Sequence, residues 1–206
     1  MCSRSRGAPD ECERESGRKP TMTNENADER KLQGILLHPA SMHEFLEKSV
    51  TEKAFVPEQR LKELGISLPQ PPKPLGAYVE SLQTGSLLFL SGTLPVEAGK
   101  PKYVGRIGDD LSLEDGQHAA RLAALNALAL AKEHLVSLNR VTQVVRLGIS
   151  LVTTYDFREH PKVADAASEL FLSIFGPEKI STRLVLGMGT LPLGMCVELE
   201  VILEVV

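Results

Sequence analysis

Residues 181–206 read STRLVLGMGTLPLGMCVELEVILEVV, and how this stretch pairs decides the fold. Two runs in it, 182–189 and 196–206, are rich in Val, Leu and Ile and alternate with the period of two that marks strands. Pro192 and Gly194 between them supply turn chemistry. The reading is two neighbouring strands joined at a tight turn, a hairpin-like C-terminus. Successive side chains of a strand point to opposite faces. Leu184, Leu186 and Met188 therefore share one face of the first strand, and Arg183, Val185, Gly187 and Gly189 the other. In the second strand Val197, Leu199, Val201, Leu203 and Val205 form an apolar face, with Cys196, Glu198, Glu200, Ile202, Glu204 and Val206 opposite.

One arginine and two carboxylates thus lie on strands that otherwise read as core, beside two glycines that leave room above the sheet. A planar guanidinium there can grip a carboxylate through two parallel hydrogen bonds, and a neighbouring carboxylate can orient or deprotonate water. The same residues are also compatible with a structural ion pair, Arg183 to Glu198 or Glu200 across adjacent strands.

Working outward, 140–154 (RVTQVVRLGISLVTT) is a long β-branched strand, and 160–176 is an amphipathic helix with Pro161 in its first turn and Gly176 as its stop. Ser112, with Asp115 three residues on, forms a capping box that opens an alanine-rich helix, apolar almost all round and so buried on more than one side. His118 near its start reads as capped or exposed, and Asn126 as a satisfied polar group in the core. Residues 77–82 and 86–92 predict two strands of a hairpin turning at 83–85. Between 93 and 111 lies a glycine-containing loop with a short strand at 102–104, and its GRIG turn is no phosphate cradle because GxxxxGK followed by Ser or Thr is absent. Residues 57–64 form a short helix stopped by Gly65, and the prolines of SLPQPPKPLG make a stiff, extended lead-in to the first strand. The order strand, strand, helix, strand, helix, strand, strand predicts an α+β domain: a single sheet with two helices packed on one face.

The chain of 206 residues, 42% hydrophobic, can bury one good-sized core. A formal charge of -4 gives no electrostatic footprint for nucleic acid or an anionic membrane. Cys2, Cys12 and Cys196 make no disulfide framework, no run reaches the roughly eighteen apolar residues of a membrane span, and no secretory h-region is present. A cytoplasmic protein is expected. Residues 1–31 interleave both signs of charge and read as disordered, and 32–56 is weakly helical and interrupted by Pro39. His38 and His43 there lack the partners a metal site needs, so no metal and no cofactor is expected. The division is an N-terminal extension over 1–56 and one folded domain over 57–206.

Arg183 opening the penultimate strand, Leu191-Pro192 eight and nine residues later, and the strand Val197-Glu198-Leu199-Glu200 resemble the C-terminal signature of the RidA family, also called YjgF/YER057c/UK114, the reactive-intermediate (enamine/imine) deaminases. Tyr78 in the first strand and the pair Ser91-Gly92 at the end of the next resemble the family's opening, and the proline lead-in and alanine-rich helix look like a subgroup once named endoribonuclease L-PSP. The resemblance implies a fold like that of bacillus chorismate mutase, assembled as a homotrimer with pockets between subunits. It also implies that Arg183 binds a substrate carboxylate, that Glu198 positions or activates water, and that Tyr78, Ser91 and Gly92 line the pocket. Val185 stands where many members have cysteine, so a thiol role there is excluded. A trimer also accords with a second sheet face (Val185, Gly187, Gly189, Cys196, Ile202) too apolar to face water.

The function this implies is hydrolytic deamination of 2-imino or enamine acids to 2-oxo acids and ammonia. The alternatives are a non-catalytic trimer that binds small carboxylates or serves regulation, and an endoribonuclease. Residues 70–206 hold 12 Lys and Arg against 15 Asp and Glu, a balance of -3 with few aromatics to stack on bases, which argues against RNA.

Overall fold

The structure is a computed structural model and describes residues 55–206. The expectations for 1–31, for 32–54 and for His38 and His43 lie outside the described residues.

A short helix α1 (Pro57–Glu63) leads in, with Pro57 at its first turn and Gly65 at φ 65° after it. Strands β1 (Ser81–Thr84) and β2 (Leu87–Thr93) pair as an antiparallel hairpin whose two-residue turn is Gly85-Ser86, Gly85 taking φ 57°. The strand read over 77–82 therefore begins later. Tyr78 lies ahead of it, where its hydroxyl accepts from Leu75 N (2.9 Å) and holds that stretch as a local turn. The loop strand predicted at 102–104 is replaced by a two-strand ribbon, β3 (Val96–Glu97) and β4 (Lys100–Pro101), with Val104 making a single bridge to Met195.

Helix α2 (Leu113–Leu135) opens with the predicted capping box: Ser112 Oγ accepts from Asp115 N (3.0 Å), and Asp115 Oδ2 accepts from Ser112 N (2.9 Å). Its alanines let it pack closely on β2, on the C-terminal strand and on the second long helix. Asn126 is buried and satisfied, its Nδ2 donating to Leu94 O (2.8 Å) and Val96 O (2.9 Å), and so fixes the β3 turn to the helix. His118 is exposed. Strand β5 (Val141–Val152) and helix α3 (His160–Phe175) follow as predicted. Val163, Ala164, Ala167, Leu170, Phe171 and Ile174 form the buried stripe of α3 at helical spacing.

The C-terminal strands β6 (Thr182–Met188) and β7 (Val197–Val205) are not a hairpin. The sheet order is β1-β2-β7-β5-β6, so β5 lies between them, parallel to β6 and antiparallel to β7. The β5-α3-β6 unit is a crossover, which parallel pairing requires. Residues 189–196 then pass over the end of β5 rather than turning back beside β6. Their backbone is satisfied on the way: Gly105 N donates to Gly194 O (2.9 Å), and Val152 N donates to Cys196 O (2.9 Å).

This insertion changes which faces go together. Leu147 of β5 stands opposite both Arg183 and Val201, and Gly148 opposite both Leu184 and Glu200. Arg183, Val185 and Gly187 therefore lie on the side that α2 and α3 cover, whereas Leu184, Leu186 and Met188 lie on the open side with Glu198, Glu200 and Ile202. The open face is apolar, as expected, but through Leu82, Phe89, Leu184, Leu186 and Met188, all exposed, and not through Val185 and Gly187.

Candidate active site

Strand β2 meets β7 with a slip in register. Leu90 faces Val201 and Thr93 faces Leu199, so Ser91 and Gly92 share the space opposite Glu200 in a bulge. The bulge is held from the β1 side: Ser91 N donates to Glu80 O (2.9 Å) and Ser91 Oγ to Val79 O (2.6 Å). Gly92 leaves room here for a close approach. A Cβ on it would overlap the Glu198 carboxylate, with Cδ at 3.0 Å, so the glutamate side chain lies folded across the glycine. Gly148 on β5 plays the same part for Glu200, whose Oε2 would lie 2.9 Å from a Cβ there.

The two carboxylates, two residues apart on one face, have different surroundings. Glu200 accepts from Arg146 Nε at 2.8 Å and is an exposed ion pair. Glu198 is half-buried with no hydrogen bond or ion pair to any described residue, and desolvation by burial pushes its carboxyl above the usual carboxylate range. Carboxylates whose environments separate their proton affinities are the usual material of acid-base work.

Two hollows meet at Gly92. One, of about 350 Å³, lies on the open face over Gly148 and is lined by Leu184, Leu186, Glu198 and Glu200 among others. The other, of about 720 Å³, runs from Tyr78, Ser91 and Gly92 along the proline segment of residues 69–74. Four of the five predicted site residues, Tyr78, Ser91, Gly92 and Glu198, are thus brought to one end of the sheet.

Arg183 is not with them. It stands on β6, the far edge strand, and on the other face, where Nη1 donates to Asp165 Oδ1 (2.7 Å) and to Ser168 Oγ (3.1 Å), both on α3. The cross-strand pair of Arg183 with Glu198 or Glu200 does not exist, because β5 separates the two strands and the side chains point to opposite faces. No described residue accepts from Nε or Nη2 of Arg183, so the planar fork of those two donors is open to a ligand carboxylate while Asp165 fixes the guanidinium from behind.

The sequence reasoning missed Asp165, Arg146 and Arg106. Arg106 clasps the end of β6 to that of β5, Nη1 donating to Thr153 O (2.5 Å) and Nη2 to Gly189 O (3.2 Å). The one signal available beforehand was Gly148, a glycine inside a β-branched strand, which marks a close approach. Cys196 is fully buried with its thiol pushed up to about 12 by burial, so it is inert. Among the described residues no group of His, Cys, Asp and Glu could hold a metal, and no helix is long and apolar enough to cross a membrane.

Residues 58–204 match the family described as "YjgF/chorismate_mutase-like, putative endoribonuclease". Protein TCP17 of Trypanosoma cruzi is 36% identical over 145 residues, 70% of this chain and 91% of that protein. A 2-iminobutanoate/2-iminopropanoate deaminase of Dermatophagoides farinae is 28% identical over 141 residues, 68% of this chain and 94% of that protein. A solved structure from Shewanella oneidensis, described as a "putative endoribonuclease", superimposes with a TM-score of 0.70 at 36% identity, covering 73% of this chain and 99% of its own. The chain therefore belongs to the RidA (YjgF, chorismate-mutase-like) family.

Proposed function

We propose that the protein hydrolyses 2-imino or enamine acids to 2-oxo acids and ammonia, in a site completed between two copies of the chain. The observation that carries the reading is Glu198, a desolvated carboxylate without a partner, folded over a glycine at the mouth of a cavity. A group that costs stability to keep charged and serves no ion pair is suited to proton transfer.

The substrate carboxylate sits on the Nε and Nη2 fork of Arg183 from one copy, with C2 over Gly92 of the next. Glu198 accepts a proton from water as its oxygen attacks C2 and the C=N electron pair moves to nitrogen, giving a tetrahedral carbinolamine. The same carboxyl returns the proton to nitrogen. Glu198 then takes the C2 hydroxyl proton and delivers it to nitrogen as the C–N bond breaks, so the ketone forms and nitrogen leaves as ammonia. Tyr78 and Ser91 line the approach. The name of the Dermatophagoides farinae relative and the acidic balance of the domain both support a small imino acid over RNA.

Opposite faces of one sheet cannot present Arg183 and Glu198 to one small molecule, so closure by another copy follows from the reading. The exposed Leu184, Leu186, Met188 and Phe89 are the material for that contact, and a homotrimer is the assembly proposed. The test uses imines generated from amino acids by an oxidase and followed by semicarbazide trapping. Arg183→Ala and Glu198→Gln are each expected to be inactive, and co-expressed together to recover activity, with about a quarter of sites intact if copies mix randomly. No recovery in a verified mixed assembly overturns the shared site. A monomer near 22.5 kDa in sedimentation equilibrium does the same. Arg183→Lys keeps the charge but not the fork, and a fall of about ten- to a hundredfold in kcat/KM is expected; unchanged turnover overturns the clamp.

A further inference from the structure

We propose that the groove beside Gly92 is a side-chain subsite that selects imino acids with bulky apolar side chains, and that Leu193 helps to set that preference. The proposal rests on the reaction assigned above and names its substrate class.

The groove, of about 720 Å³, begins at Tyr78, Ser91 and Gly92, where the reacting carbon is placed. The same groove is lined by Pro72, Leu75, Leu94, Val96, Leu130 and Leu193. A volume of that order holds a sizeable ligand, and a one- or two-carbon side chain would leave most of it to water. One wall is tied to the site itself, since Leu75 N donates to the Tyr78 hydroxyl at 2.9 Å. Gln70, Lys73 and Glu80 also line the groove, Lys73 as an exposed residue, but most of the lining is apolar.

The turn closed by Met195 N donating to Pro192 O (3.2 Å) accounts for the backbone of Leu193 but not for its leucine side chain. Leu193 sits in the turn Pro192–Gly194 at φ 55° and ψ 18°, a left-handed conformation that Gly or Asn adopts at lower cost. It is 56% exposed, so no core burial offsets the strain. Its side chain lines the groove. An exposed leucine at a turn position that Gly or Asn fills at lower cost, with its side chain on a groove, points to a binding role. Leu94, Val96 and Leu130 line the same groove.

The experiment compares kcat/KM for imines made from alanine, leucine and phenylalanine, by the same semicarbazide competition, in the wild type and in Leu193→Asn and Leu75→Ser. The wild type is expected to favour the leucine or phenylalanine imine over the alanine imine by roughly tenfold or more, the scale on which apolar pockets discriminate methylene groups. Each variant is expected to lower that ratio several-fold, with Leu193→Asn melting no lower than the wild type because Asn tolerates the left-handed turn. Equal or better use of the alanine imine overturns the subsite and leaves the reaction standing. A ratio unmoved by Leu193→Asn overturns the role of Leu193, and one unmoved by both variants overturns the groove. Failure to hydrolyse any imine overturns the reaction and the subsite together.

Discussion

On the face of the sheet that α2 and α3 cover, Leu147, Ile149, Leu151, Val197, Leu199 and Val201 are 0–2% exposed. On the opposite face Leu82, Phe89, Leu184, Leu186 and Met188 are 37–59% exposed. The polar groups divide the same way. The buried Asn126 beneath the covered face has both amide hydrogens placed, whereas Glu198 on the open face is desolvated and unpaired. The covered face is finished by folding and the open face is not. An apolar surface left in water and a carboxylate left without a partner are both costs to a single chain. They are consistent with a surface that a second copy and a ligand complete.

The covered face holds the core, so stability resides there. Leu147→Ala removes a fully buried side chain between β6 and β7, and a loss of about 2–5 kcal/mol is expected in denaturant unfolding, with assembly weakened only in proportion. A loss comparable to that of a surface substitution would show that the sheet is not anchored there.

Gly92→Ala acts on the open face. The new methyl takes the space of the Glu198 carboxylate, which is the far end of a flexible side chain, so the fold gives way cheaply but the carboxylate must move. Turnover of imines is expected to fall by about a hundredfold, the contribution of a positioned general base, with little change in melting temperature. If the variant hydrolyses imines at the wild-type rate, Glu198 is not the base.

Asp165→Asn removes the charge behind Arg183. The pair is partly exposed and contributes ~1 kcal/mol or less to stability. The guanidinium loses its rear anchor, so KM is expected to rise several-fold while kcat changes less. A change in stability without any change in KM would return Asp165 to a purely structural role.

The smallest effect is a dependence on pH. Burial raises the Glu198 carboxyl, so the folded state binds its proton more tightly than the unfolded state does. The stability from that proton is fully present below the unfolded value and is lost as pH rises through the folded one. Glu198→Gln abolishes the dependence. Relative to the wild type, the glutamine variant should gain stability as pH rises from about 4 to about 8, by under ~1 kcal/mol after solvent screening. A glutamine variant that loses ground over that range would mean that the charged carboxylate has a stabilising partner, contrary to the open-face description.

Much was legible from local pattern alone. The capping box of Ser112 and Asp115 begins α2 where expected, Pro57 and Gly65 bracket α1, and the alternation of 197–205 is that of a strand buried on one side. These features depend on neighbours a few residues apart, and backbone geometry fixes their consequences. The residues of the motif, Arg183, Leu191-Pro192 and Glu198, could be picked out by their spacing along the chain, but not their places in space. What the sequence did not determine was which strands lie side by side. A period of two sorts the faces of each strand but says nothing of which face of one joins which face of another, and a third strand inserted between two others rearranges both. With β5 between β6 and β7, Leu184, Leu186 and Met188 fall on the open face and Arg183 turns to Asp165 on the helix side. Only the tertiary structure decided that Arg183 and Glu198 stand on opposite faces, because pairing across the sheet is set by long-range burial and not by any property of the two strands taken alone.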